Sequence, residues 1–438
     1  MSGSAPERME AEQPRTAFIP TEPKYGLPFW VLTAYFFVEY VRPQDRIPGL
    51  GALKMGLILS VLSALLWLAR GDKTVLREPM IRTYIAFIVL MAASVPLAVN
   101  TFWAYKSTEV LTLFLLAAVL PAAAILTDPT RLRKFFQMWI VFHLLVALSA
   151  LQRGGVGSGS FLIDENDLAM ALGMAIPYAF FLSQSPTNKT WVKLFYLAGA
   201  GALVLGVIMT ASRGGFVGLV ACLGIILLLA KHKLRNIMLV CAIGLGVWAW
   251  VPSSYYGEIE SINDPADSTR LDRLYMWERA WEMYLDHPMV GVGAGNFPWR
   301  IYEYQTRTPD FDPDRTRLRG GRVVHSLYFT LISELGSIGT LLFVVMLFIM
   351  IRKLFRVMKA KSDDPAVQPA LTEASLLAKA MIASLGTFLF SGLFISVLYY
   401  PHFWYLIGFT LALTYCADRL VRGAKPPTAR PVGEAAAV

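Results

Sequence analysis

The sequence predicts an all-α polytopic membrane protein with about twelve transmembrane helices and one large, partly helical loop outside the membrane. Of its 438 residues, 55% are hydrophobic, and the mean hydropathy is +0.51. Only 16% of the residues are charged, whereas a soluble domain carries about a quarter. Apolar runs long enough to cross a bilayer core, which takes about 20 residues, recur along the chain.

Twelve apolar runs are candidate membrane spans, although the first and the last are short for a bilayer. They cover residues 27–41, 51–69, 81–99, 107–126, 135–152, 167–184, 191–210, 214–230, 235–252, 326–350, 376–398 and 402–417. The three cysteines lie inside these runs and form no spacing typical of a metal site or a disulfide framework. The cysteines therefore give no sign of a metal site, and no cofactor is expected.

The distribution of positive charge predicts which side of the membrane each loop faces. With the N-terminus inside, the inner loops hold 17 lysines and arginines, against six in the short outer loops. Residues 1–24 are polar, with no signal-peptide pattern, and residues 419–438 are similar. We read both as cytoplasmic tails, with spans one to nine within 25–252 and spans ten to twelve within 326–418. The net charge of +9 thus reflects topology and not nucleic-acid binding.

The longest connection, residues 253–325, is placed on the outer, periplasmic side. It contains nine arginines, twelve acidic residues and no lysine. Guanidinium groups bind phosphate oxygens in a bidentate manner, so the use of arginine without lysine indicates a phosphate-bearing ligand. The alternative is a solvated surface on which the arginines pair with the acidic residues. Within the loop, 268–288 predicts a helix with Arg270, Arg273 and Trp277 on one face, either at the membrane interface or packed in an outer domain. The following "GVGAGNF", 291–297, predicts a glycine turn, since no strand precedes it as a nucleotide loop would require.

His325 closes this loop at the outer mouth of span ten, where it is either an interface residue or part of a site shared with Arg213. Glu334 follows nine residues later, on the opposite side of an ideal helix and about 13 Å deeper. A direct pair with His325 is therefore not expected. A buried structural partner is favoured, although carboxylates inside a membrane are often functional.

Arg213 interrupts a strongly apolar region in the stretch "MTASRGGFVGL", 209–219. An arginine at the centre of a membrane helix costs about 2.5–3.5 kcal/mol, and less near the interface. Charge-assisted hydrogen bonds contribute about 1.5–3 kcal/mol each, so two contacts to a diphosphate would offset this cost. Gly214 and Gly215 would let such a group approach the start of span eight, where backbone N–H groups favour an anion.

Four segments together resemble the O-antigen ligase family, which also includes polymerases of surface polysaccharides. They are "DENDLAMALGMAIP" at 164–177, "TASRGGF" at 210–216, "RLYMWERAWEMYLDHPMVGVGAGNF" at 273–297 and "HSLYFTLISELGSIG" at 325–339. The segments occur in the family's order, with the large outer loop in its place. The first 160 residues carry hydropathy alone.

The resemblance implies an inverting, metal-independent glycosyltransferase in the bacterial inner membrane, with a glycan on undecaprenyl diphosphate as donor. Arg213 and Arg273 would hold the diphosphate, with Arg270 as a neighbouring alternative, and His325 would bind the diphosphate or orient or deprotonate the acceptor. Asn166 is a weaker candidate, because helix capping also explains it. The acceptor would be lipid A-core in a ligase, which we favour slightly, or another lipid-linked repeat in a polymerase.

Two other classes of function remain open at this point. A flippase or transporter of lipid-linked glycan would also have about twelve spans, but it needs no arginine-rich outer loop, and we find no internal repeat. A structural scaffold would leave Arg213 unexplained.

Overall fold

A computed structural model describes residues 25–159, 161–231, 233, 237–238, 268–308, 311 and 320–423. Every regular element in these ranges is helical. The α-helices are α1 Leu27–Tyr40, α2 Met55–Arg70, α3 Pro79–Ser94, α4 Thr101–Phe114, α5 Leu120–Ile125, α6 Pro129–Leu151, α7 Glu165–Ser183, α8 Thr190–Met209, α9 Arg213–Leu229, α10 Ser268–Asp286, α11 Phe297–Thr306, α12 Leu327–Lys359, α13 Gln368–Ser391 and α14 Pro401–Arg422.

Seven of the helical segments described are long and apolar enough to cross a membrane. One of them, Thr101–Ile125, comprises α4 and α5 joined by the π-helical turn Leu115–Val119. The helices α1 and α9 are apolar but shorter. The structure thus agrees with an all-helical membrane protein but does not confirm the count of twelve spans. The ninth predicted span, 235–252, lies outside the described residues apart from 237 and 238, as does the predicted tail 1–24. The predicted tail 419–438 was wrong in its start, because α14 continues to Arg422, and residues 424–438 lie outside the described residues.

The outer surface of the helix bundle is apolar along much of its length. On α2 the exposed side chains are almost all leucine, isoleucine or valine, and few residues of this helix are buried. A soluble protein rarely exposes so large a contiguous apolar surface, whereas a bilayer covers it. This surface is the structural counterpart of the sequence's high hydropathy.

The helices α7 and α14 lie in the interior of the bundle. From Asp167 to Ser183 every side chain of α7 is buried, and the helix packs against α8, α9 and α13. Trp404 on α14 stacks on Tyr84 of α3, with ring centroids 4.6 Å apart, and its Nε1 donates to the carbonyl of Leu398. These contacts join α14 to α3 and to the loop that precedes α14.

The helix α12 is broken at Gly336, where φ is 61° and ψ is −160°. The segment from Pro288 to Asn296 enters the break. Val292 and Gly293 donate N–H to the carbonyls of Ser333 and Glu334 at 2.9 and 3.0 Å. In return, Ser337 and Ile338 donate to the carbonyls of Pro288 and Met289 at 2.8 and 3.1 Å.

These four bonds replace two that a regular helix would make, from the amides of Ser337 and Ile338 to the carbonyls of Ser333 and Glu334. A Cβ at Gly336 would lie 2.5 Å from the Met289 carbonyl carbon, so only glycine fits there. The break therefore attaches the loop after α10 to the outer part of α12.

Candidate functional site

The outer ends of α7 and α9 are joined by a chain of polar side chains. Asp164 caps α7 by accepting the backbone N–H of Asn166, and it also accepts from the Asn166 amide, both at 2.8 Å. The Ser212 hydroxyl donates to Asn166 Oδ1 at 2.6 Å and accepts from the backbone N–H of Gly215 at 2.8 Å. The caps of the two helices are thus linked through Asn166.

Arg213 is the first residue of α9, directly after the Ser212 cap. Ala211, two residues earlier, has a left-handed φ of 54°, so the chain turns sharply before the helix begins. The Arg213 side chain is partly buried, while Gly214 and Gly215 behind it are buried. The hydrogen bonds from Asp164 to Ser212 therefore fix the backbone position from which the Arg213 side chain extends.

Arg273 on α10 approaches the same place from the outer side. Its guanidinium carbon lies 5.9 Å from the centre of the Phe394 ring. A Cβ at Gly214 would lie 3.4 Å from Phe394 Cβ and 3.3 Å from Asn166 Oδ1. Phe394, in the loop after α13, thus contacts Arg273 and lies beside the start of α9, which carries Arg213.

His325 precedes α12 and has a left-handed φ of 54°. Its side chain is exposed, although neighbouring residues surround part of the ring. This enclosure lowers the pKa of the imidazole, and the positive charge of Arg273 lowers it further, while the carboxylate of Asp164 opposes the shift. His325 therefore lies within electrostatic range of Arg273 on one side and of the α7 cap on the other, and its neutral form is favoured at neutral pH.

The helix that carries Arg273 packs against the start of α12. Trp277 stacks on Phe329 with ring centroids 5.3 Å apart, and its Nε1 donates to the carbonyl of Val324 at 3.2 Å. Val324 directly precedes His325, so these contacts fix the relative positions of the arginine and the histidine. Arg270, one turn before Arg273, has an exposed side chain.

Glu334 is engaged away from this region. Its carboxylate accepts the backbone N–H of Phe297 at 3.0 Å, the N–H of Gly295 at 2.7 Å and the hydroxyl of Tyr399 at 2.5 Å. These bonds hold the glycine turn against α12. All three bonds thus tie Glu334 to the glycine turn or to Tyr399.

Several arginines of the outer loop form ion pairs. They are Arg279 with Glu278 and Glu282, Arg300 with Glu303, Arg307 with Asp286 and Glu303, and Arg322 with Asp272. For Arg300 and Arg307 the interpretation as a solvated, paired surface is the better one. Arg279 is paired but buried, and Arg322 lies within electrostatic range of His325. Arg315, Arg317 and Arg319 lie outside the described residues. Among the residues described, no group of three or more His, Cys, Asp or Glu side chains is arranged for a metal ion.

The sequence analysis missed two members of this region, Phe394 and Ser212. Phe394 lies in an uncharged loop, 392–400, in which neither charge nor motif spacing distinguishes it. Ser212 is part of the quoted "TASRGGF" segment, and its position before a helix predicted to start at 214 indicates a cap. A search for capping residues at the outer helix ends would have found it.

A comparison with protein families matches residues 198–344 to the O-antigen ligase family. The matched region contains the start of α9, the helix α10, the glycine turn and the broken helix α12, and thus three of the four segments on which the resemblance rested. The match confirms that resemblance. No curated protein matches the chain significantly.

Proposed function

We propose that the protein transfers a glycan from undecaprenyl diphosphate to an acceptor hydroxyl. The similarity of residues 198–344 to the O-antigen ligase family supports a membrane function of the O-antigen ligase or polymerase type. The transfer takes place on the periplasmic face of the bacterial inner membrane, with both termini in the cytoplasm. One observation supports the proposal: Phe394 contacts Arg273 and lies beside the start of α9, which carries Arg213, while His325 lies within electrostatic range of Arg273.

In the proposed reaction, the acceptor hydroxyl attacks the anomeric carbon of the lipid-linked sugar from the face opposite the diphosphate. The bond between that carbon and the diphosphate oxygen breaks, and the configuration inverts. Undecaprenyl diphosphate leaves with the electron pair of the broken bond. No metal takes part, so positively charged side chains must stabilise the charge that develops on the leaving group.

Arg213 and Arg273 are placed to supply that stabilisation. Two guanidinium groups on different helices can grip different phosphate oxygens, and the N-terminus of α9 adds a favourable dipole. Because Gly214 carries no side chain, α9 can begin in close contact with Asn166 and Phe394, which brings Arg213 to this end of the helix. Arg270, which is exposed on the same helix as Arg273, would contact the donor only farther out.

His325 has two possible roles in this scheme, acceptor activation and diphosphate binding. Its lowered pKa favours the neutral imidazole, which can accept the proton that the acceptor hydroxyl loses. Diphosphate binding by a cationic imidazole would require the form that the neighbouring Arg273 disfavours. The environment of His325 therefore supports acceptor activation.

Substitution of the three residues tests the site. Arg213→Ala, Arg273→Ala and His325→Ala should each abolish glycan transfer without loss of protein from the membrane. Arg213→Lys should also be impaired, because a lysine cannot make two parallel bonds to a phosphate. Arg300→Ala is the matched control, since Arg300 pairs with Glu303 within α11. Normal transfer by the alanine variants would show that the site is elsewhere.

The ligase is favoured slightly over a polymerase of O-antigen, capsule or exopolysaccharide repeats, and a deletion strain separates the two. In a ligase deletion, long glycans should accumulate on undecaprenyl diphosphate, ready for transfer to lipid A-core. Single repeats exposed on the outer leaflet would identify the polymerase instead. Single repeats retained on the inner leaflet would contradict both and favour a flippase.

A further inference from the structure

The inner ends of α12 and α14 enclose a groove of about 650 Å³, on the side opposite the proposed transfer site. On the predicted topology this side faces the cytoplasm. The groove is lined by five basic side chains and one acidic side chain, together with apolar residues. The charged residues are Arg352, Arg356, Lys359, Lys361, Arg422 and Asp418.

The single carboxylate in the groove does not balance its positive charge. Asp418 is taken by Arg356, which binds both of its oxygens. Within the described part of the chain, the other four cations of the groove form no ion pair. The neighbouring Lys353, which lies outside the groove, has its own acidic partner, Glu78, at 2.9 Å. Within the described residues, positive charge is thus left uncompensated inside the groove.

An exposed apolar stripe on α12 leads from the membrane interior to this groove. Leu341, Val344 and Phe348 are 63%, 50% and 58% exposed, and they lie on the same helix face as Arg352 and Phe355. The Arg352 guanidinium carbon lies 5.5 Å from the centre of the Phe348 ring. From Val344 to Phe355 the helix rises about 16 Å, which is about half the thickness of a bilayer core.

We propose that this groove binds the phosphate headgroup of an anionic phospholipid of the inner leaflet, whose acyl chains lie along the apolar stripe. A phospholipid is complementary to this helix face, because its apolar chains match the stripe and its negative headgroup matches the basic groove at the end of the stripe. Basic pockets between helix ends on the cytoplasmic side bind anionic headgroups in this way. A free phosphate would need the cations but would make no use of the stripe.

Thermal unfolding of the purified, delipidated protein in a neutral detergent tests the proposal. Dioleoyl phosphatidylglycerol should raise the unfolding midpoint more than dioleoyl phosphatidylcholine does. The triple variant Arg352→Gln, Lys359→Gln, Arg422→Gln should lower the apparent affinity for phosphatidylglycerol on the order of 100-fold. Arg356 is left unchanged, since its pair with Asp418 is part of the fold.

The matched control removes three exposed cations from predicted inner loops, Arg70→Gln, Arg77→Gln and Lys189→Gln, and should bind phosphatidylglycerol as the unchanged protein does. An equal loss in both triple variants would overturn the proposal in favour of diffuse charge attraction. Equal stabilisation by inorganic phosphate would identify a free-anion site, and equal stabilisation by phosphatidylcholine would identify apolar contact alone. Either result would also contradict the proposal.

Discussion

Substitution of Gly215 by alanine tests whether the packing of α9 on α7 sets the position of Arg213. An added methyl group at Gly215 would lie 2.3 Å from the Cβ of Ala169 on α7. Carbon atoms in van der Waals contact stay about 3.5–4.0 Å apart, so the two helices must separate locally by about 1.2–1.7 Å. Neither atom belongs to a flexible side chain that could rotate away. The start of α9, which carries Arg213, must therefore shift.

The expected effect is larger on catalysis than on stability. Overpacking of this kind costs about 1–3 kcal/mol, which a large helical bundle can tolerate. A displacement of about 1 Å in a group that positions the substrate can reduce the rate about 100-fold. Gly215→Ala should therefore reach the membrane, with a modestly lower unfolding midpoint, and transfer glycan about 100-fold more slowly. The assay is transfer from lipid-linked glycan in membranes normalised for protein amount.

Two further glycines of α9 provide controls for this measurement. A Cβ at Gly224 meets no heavy atom within 4 Å, so Gly224→Ala should leave transfer unchanged while making the same change in helix propensity. A Cβ at Gly214 would lie 3.3 Å from Asn166 Oδ1, so Gly214→Ala should give an intermediate loss. If Gly215→Ala transferred glycan as fast as Gly224→Ala, the position of Arg213 would not depend on this contact and the reasoning would be refuted.

Three other predictions concern the neighbouring residues. If neutral His325 accepts the acceptor's proton, transfer should rise with pH through its lowered pKa and level off near neutrality; a fall over the same range would indicate a cationic, diphosphate-binding histidine instead. Asn166→Ala should slow transfer about 10-fold, because the Ser212 hydroxyl loses its acceptor, and Asn166→Asp should not restore it, because its carboxylate would face Asp164. Unchanged rates would remove Asn166 from the positioning chain. Glu334→Gln should lower the unfolding midpoint by the equivalent of about 1–3 kcal/mol, since an amide cannot accept all three bonds; an unchanged midpoint in detergent would show that these bonds add little.

In the outer loop, the arginine content alone does not tell which arginines form ion pairs and which lie near His325. Its use of arginine without lysine suggested phosphate binding for the group as a whole. The structure divides the group, because Arg279, Arg300 and Arg307 bind carboxylates within a few residues along the helices or across them. Arg273 is distinguished by position, next to Phe394 and within electrostatic range of His325. The arginine content thus identifies the loop as a candidate for phosphate binding, and the packing of the helices identifies Arg273 as the candidate within it.

The sequence by itself determined that the chain is helical and built for a membrane, because apolar runs of bilayer length have no other stable arrangement. It also marked Arg213 as unusual, since a charge beside such runs is costly and needs a reason. The helix over 268–286 and the glycine turn after it could be predicted from caps, periodicity and backbone freedom, which are local properties of the chain.

Only the tertiary structure decided what these residues touch. The break at Gly336 exists because backbone groups some 40 residues earlier take over its hydrogen bonds, and no local pattern contains that exchange. The link from Asn166 to Ser212 and the placement of Phe394 beside Arg273 likewise join residues far apart in the chain. Such contacts depend on how whole helices pack, and packing is a property of pairs of surfaces that one stretch of sequence does not specify.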